Sequence, residues 1–228
     1  MNNKHNEDFN TALNIYEKEY SHENLINLLK NGSVVEKQAA VLKINAITTQ
    51  EEAEILISNL TGCDGKIREA VSFRLKEFIP GNPKFYVGFQ DTLLDAVIDI
   101  NGNICRNVLC AIYSLKNYPE FYIDFCQKLC AKTEESIEKV KSFDIQDGKY
   151  KINKAVFKLY WYLETIYEFC TFIEKNTLIK ILSQTKDIND YTIREKTAKI
   201  LSKIHDDKDL LTIKQELKND RNYYVRRY

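Results

Sequence analysis

Trp161 and Glu164 stand three residues apart in the stretch from Lys154 to Glu174, which also holds Phe157, Tyr160, Tyr162, Tyr167, Phe169 and Phe172. Residues three apart share a helix face, so this pair sets a carboxylate beside an aromatic wall. The ring set is too large for one face of one helix. The surplus rings either widen a core or form an exposed platform for a partner. A second group, Arg221, Tyr223, Tyr224, Arg226, Arg227 and Tyr228, combines guanidinium and aromatic side chains. These types dominate binding hot spots and contacts with nucleic-acid backbones. The same segment would serve equally as a final capping helix.

Other chemistry is sparse. Cys126 and Cys130 lie one helical turn apart and supply two metal ligands, but nothing nearby completes a tetrahedral set. His5, His22 and His205 are isolated, the Asp144 loop lacks the distal acid of a calcium-binding loop, and no glycine motif is built to cradle phosphate. The residues favour a protein that is not an enzyme and carries no cofactor and no metal.

The elements that must position these groups are helices. Only seven Gly and three Pro punctuate 228 residues, too few for strands and hairpins. The apolar runs keep helical spacing and are too long for alternating strands. Thirty-three basic residues balance thirty-three acidic ones, so no whole-molecule field draws the chain to nucleic acid or anionic lipid. Six Cys without a C-x-x-C pair, no secretory signal and no long apolar span point to reduced thiols in the cytoplasm and no membrane.

The segments Asp64-Gly-Lys-Ile67-Arg68-Glu69 and Asp190-Tyr-Thr-Ile193-Arg194-Glu195 share a frame, and each opens an amphipathic helix. Behind them Ile67, Val71, Leu75 and Phe78 in one copy match Ile193, Leu201 and Ile204 in the other. Asn101 aligns with Asp64, although Arg106 then falls one residue later than Arg68. Helix starts are expected after Ser21, Ser33, Thr49, Asp64, Asn101, Asp190 and Asn222, residues that cap free N–H groups. A first helix over 7–20 carries Phe9, Leu13 and Tyr16 as its apolar stripe, Ser33 opens a helix running to Ile47, and Pro80-Gly81-Asn82-Pro83 predicts a firm break. Pro119 fits the first position of a helix. A separate charged helix is expected over 133–143, a polar turn over 144–151 and a long aromatic helix over 152–174. A further helix is expected from Asp207 to Lys218.

Helix pairs returning every thirty to forty residues are the signature of helical solenoids. The pattern of a first helix, a turn with Asp or Asn, and Ile/Val-Arg on the second helix resembles HEAT repeats over residues 22–117 and 175–228, and Val225-Arg226-Arg227 keeps its core. That resemblance implies an all-α, right-handed α-solenoid of antiparallel helix pairs, one domain over 1–228, with residues 1–20 as an N-terminal capping helix and 119–174 as an irregular or enlarged repeat. It further implies that the turn Asp and second-helix Arg tie adjacent repeats, and that a concave surface of second helices binds a protein or peptide. Contact residues expected there are Glu69, Ser72, Lys76 and Arg194, joined by Trp161, Glu164, Tyr224, Arg226 and Arg227. Two other functions occur on the same fold: a nucleic-acid binder resembling the alkylpurine DNA glycosylases, using Trp161, Glu164 and the C-terminal arginines, and a lyase-like subunit needing a partner. The iron-binding HEAT-like hydroxylases need paired His-Glu motifs, and His22-Glu23 has no second copy.

Overall fold

The structure, a computed structural model, describes residues 2–144, 146–204 and 208–228, without the side chains of residues 2–5 and 208. His205 and Asp207, and the side chain of His5, therefore lie outside the described residues. Among the described residues all regular structure is helical: α1 (Asn2–Glu17), α2 (His22–Asn31), α3 (Val34–Lys43), α4 (Gln50–Ser58), α5 (Gly65–Gly81), α6 (Gln90–Val97), α7 (Gly102–Ile112), α8 (Pro119–Lys141), α9 (Lys149–Phe169), α10 (Lys175–Thr185), α11 (Tyr191–Ser202), α12 (Lys208–Lys218) and α13 (Tyr223–Arg226). Short 3₁₀ turns follow α5, α7 and α9.

The N-caps lie where residue type places them. Ser21, Ser33, Thr49, Asp64, Asn101, Asp190 and Asn222 each accept a backbone N–H of the helix they precede. Ser33 forms a full capping box with Glu36, whose carboxylate takes the Ser33 N–H at 2.7 Å.

The chain divides into two compact units, residues 1–121 and 122–228. In the first, α1, α3, α5 and α7 pack in succession as one layer, with α2 and α4 paired in the other and α6 against α7. Leu29, Val41, Leu56, Val71, Leu75 and Val108 are fully buried between them. In the second, α9, α11 and α13 form one layer and α10 and α12 the other, around Phe125, Leu159, Phe169, Ile181 and Ile193. Each unit is thus an α-solenoid segment in which a helix pair buries its apolar face against its neighbours.

Several expectations are corrected. The Phe9, Leu13 and Tyr16 stripe of α1 is exposed, and Ile15 is the buried residue. The helix meets α3 through its other side, where small Thr11 and Ala12 flank Ile15. α3 ends at Lys43, and Ile44 and Ile47 reach the core from non-helical backbone. α5 continues through Pro80, because a proline in the last turn deprives only one carbonyl of its donor, and the break falls at Asn82. No separate helix covers 133–143: α8 runs unbroken, as buried Thr133 returns its hydroxyl to the Leu129 carbonyl at 2.7 Å instead of interrupting the turn.

Candidate functional site

The recurrent arginine occupies the fourth position after the N-cap of a second helix. There Arg68, Arg194 and Arg226 each donate Nη1–H to the carbonyl two residues before the cap: Gly62 at 2.7 Å, Ile188 at 2.8 Å and Asp220 at 2.5 Å. The other edge of the fork reaches the next repeat. Arg68 Nε meets Asp99 Oδ2 at 2.7 Å, and Arg194 meets Asp220 through Nε at 2.6 Å and Nη2 at 3.2 Å. The expected tie between repeats exists, but its acid is not the turn Asp of the shared frame. Asp64 and Asp190 spend their carboxylates on caps, whereas Asp99 and Asp220 stand two residues before Asn101 and Asn222. The spelling Asp-x-Asn ahead of α7 and α13 was the available signal. In α7 the fourth position is Cys105, whose thiol donates to the Asp99 carbonyl at 3.0 Å. The ladder position is kept with a group too short to reach onward.

Between α9 and α11 lies a network of ions and rings. Glu164 receives Lys196 and Lys199, each at 2.7 Å. Lys196 stands over the Tyr160 ring at 4.4 Å, and Lys199 and Lys203 over Tyr167 at 4.1 and 3.5 Å. Burial pushes the Glu164 carboxyl up, but the two ammonium groups outweigh it and hold it below its ordinary value. Burial opposes the charge of Lys196 too, and Glu164 and Tyr160 nevertheless raise it. Trp161 is only 7% exposed, edge-on to Tyr160, and its indole N–H finds no acceptor among the described residues. Trp161 and Glu164 therefore do not form an open aromatic wall with a free carboxylate. One belongs to the core and the other is neutralised.

The C-terminal group is exposed. Tyr223 packs edge-on to Tyr224, which tilts over Tyr191 of α11 at 6.4 Å. Arg227 bonds Glu195 at 2.7 Å and lies over the rings of Tyr224 and Tyr228 at 5.4 and 5.0 Å. Tyr191, Tyr223, Tyr224 and Arg227 are open to solvent. Arg194, by contrast, is buried in the ladder, and Arg226 is exposed.

In the first unit the exposed side of α5 carries Phe73 with Lys76 over its ring at 4.6 Å, and the 3₁₀ turn after α7 carries Tyr113 with Lys116 at 3.6 Å. Glu69 is exposed there. Ser72 is not: it is fully buried, donating to the Glu69 carbonyl at 2.9 Å and accepting from Asn107 at 3.3 Å. The α5 helix turns Ser72 toward α7, which removes it as a contact residue.

No group of three or more His, Cys, Asp or Glu able to hold a metal is found among the described residues. Burial pushes the thiols of Cys126 and Cys105 up to about 12 and that of Cys130 to about 11, so none is a thiolate at neutral pH. His22 pairs with Glu52 at 2.8 Å and has no second histidine beside it among the described residues. No described helix is long and apolar enough to cross a membrane.

Fold and surface together define an all-α helical-repeat protein. The chain is similar to a solved designed armadillo repeat protein at 13% identity, with 91% of this chain and 96% of that one covered and a TM-score of 0.45. No protein-family model and no curated protein matches it.

Proposed function

We propose that this protein is a non-enzymatic interaction module of reducing compartments, of HEAT-like type, that binds another protein or peptide on the exposed faces of its second helices. The observation carrying this reading is the cluster of Tyr191 on α11, Tyr223 and Tyr224 on α13, and Arg227 just after it. Tyrosine and arginine present large, semi-rigid contact area with polar tips, the composition of binding hot spots. Phe73, Lys76 and Glu69 supply the corresponding face of the first unit, with Arg226 beside the C-terminal cluster.

A nucleic-acid role fits less well. The cations between α9 and α11 already have acids, Lys196 and Lys199 with Glu164 and Lys203 with Glu168, and so does Arg227 after α13, with Glu195. They release few counterions on meeting phosphate. The test places a photo-crosslinking side chain at Tyr224 or Phe73 and compares capture with titration of single-stranded and duplex oligonucleotides. A discrete protein adduct that survives high salt and weakens at least ~tenfold in the Tyr224→Ala, Arg227→Ala variant is expected. Tight oligonucleotide binding with a steep salt dependence would overturn the reading.

A further inference from the structure

Beside the tyrosine cluster, and sharing Tyr191 with it, the second unit has an open cleft of about 800 Å³. It lies between the end of α8, the first turns of α9 and the two turns that precede α11 and α13. Val140, Phe143, Ile152, Val156 and Ile188 are the apolar part of its lining, the rest being polar or charged. All but Ile188 remain partly exposed. Half-covered apolar side chains of this size, gathered in one concavity, gain by burial against something else.

The charges around the cleft select what that is. Two carboxylates border it and both are engaged, Asp190 capping α11 and Asp187 paired with Lys186 at 3.5 Å. The Arg194 charge at its floor is matched by Asp220. Lys141 at the end of α8 and Arg221 in the turn before α13 both line it and have no ion pair among the described residues. Arg221 is moreover held in place, its Nη2–H donated to Asn189 Oδ1 at 2.8 Å across the two turns. The neutral acceptor orients the guanidinium, whose charge acts only on neighbouring Asp220, a carboxylate already bonded to Arg194, and this leaves a directed cation beside the apolar side chains.

We infer that this cleft binds an acidic, apolar peptide segment, one or two bulky side chains entering between α8 and α9 while flanking carboxylates meet Arg221 and Lys141. An extended peptide suits it better than a lipid tail, because the cleft is open and cannot enclose an acyl chain. The cleft meets the second-helix surface at Tyr191, but its five apolar lining residues are not among the contact residues proposed there, so a shift pattern centred on Tyr224 distinguishes the two.

The test uses the whole chain, 15N-labelled, titrated with an unlabelled short peptide of alternating Glu and Leu or Phe, and in parallel with its Lys-for-Glu counterpart. Amide shifts confined to residues 140–143, 152–156, 187–191 and 221–222 are expected with the acidic peptide alone. The Lys141→Glu, Arg221→Glu variant changes only exposed side chains; it should lose at least ~tenfold in affinity and accept the basic peptide instead. Equal binding of both peptides, shifts centred on Tyr224, unaltered affinity in the variant, or no binding would each overturn the proposal. So would saturable binding of a fatty-acid anion in the cleft with none of the acidic peptide.

Discussion

Arg194 and Asp220 form the least exposed ion pair described, their side chains 8% and 9% exposed, and the fork is further bonded to two carbonyls. Removing one partner strands the other charge where water reaches it poorly. Arg194→Ala should therefore cost about 3–5 kcal/mol in urea unfolding. Lys180→Ala, which breaks an exposed pair with Glu134, should fall within about 1 kcal/mol. The same acids make stability depend on pH. Bonds from Arg194 hold the Asp220 carboxyl below its ordinary 3.8, and Lys196 and Lys199 overcome burial to hold Glu164 below 4.5. Carboxyls depressed in the folded state contribute stability that is complete above the unfolded values and is lost as pH falls through the folded ones. Unfolding midpoints should be level above about pH 5.5 and drop progressively below about pH 4.5, with a shallower drop in Glu164→Gln.

At the scale of the element, α5, α7, α11 and α13 are each begun by a side-chain cap and tied by the residue four positions on. Asp64 accepts the N–H groups of both Lys66 and Ile67. Asp64→Ala should lower stability by about 1 kcal/mol and Asp64→Asn by much less, read from the same urea curves. Caps of this kind are legible in sequence because their chemistry is local: Ser33, Thr49, Asp64, Asn101 and Asp190 all act where residue type and neighbouring periodicity place them. The ladder was only half legible. Arg68 and Arg194 announce it, but their acids come from the following repeat, 31 and 26 residues away. In α7 the search for an arginine leads to Arg106, when the position belongs to Cys105. Burial of Ser72 was not legible and that of Trp161 only as one of two readings of the ring set, because each depends on which flank of α5 meets α7 and which flank of α9 meets α11. Both are questions of packing angle that a single helix's periodicity does not contain.

For the molecule as a whole, balanced charge and buried thiols leave few reactive handles. Of six cysteines, Cys63 and Cys110 are exposed and the other four buried. Ellman's reagent should consume two thiols quickly in the native protein and the remaining four only on unfolding. Early reaction of all six would mean that the helix layers open far more readily than their packing implies. The manner of opening follows from one side chain at the start of the first unit. The Lys43 ammonium donates three bonds, to the carbonyls of Ile15, Tyr16 and Lys18 at 2.6, 3.2 and 2.5 Å, so the last turn of α1 is tied to α3 by a single side chain. With the apolar stripe of α1 facing solvent, Ile15 is the one apolar side chain that its described part buries. That helix should be the first element to exchange its amide hydrogens, detaching as a unit before α3 and α5. Lys43→Ala should erase protection over residues 8–17 while leaving α5 as slow as before.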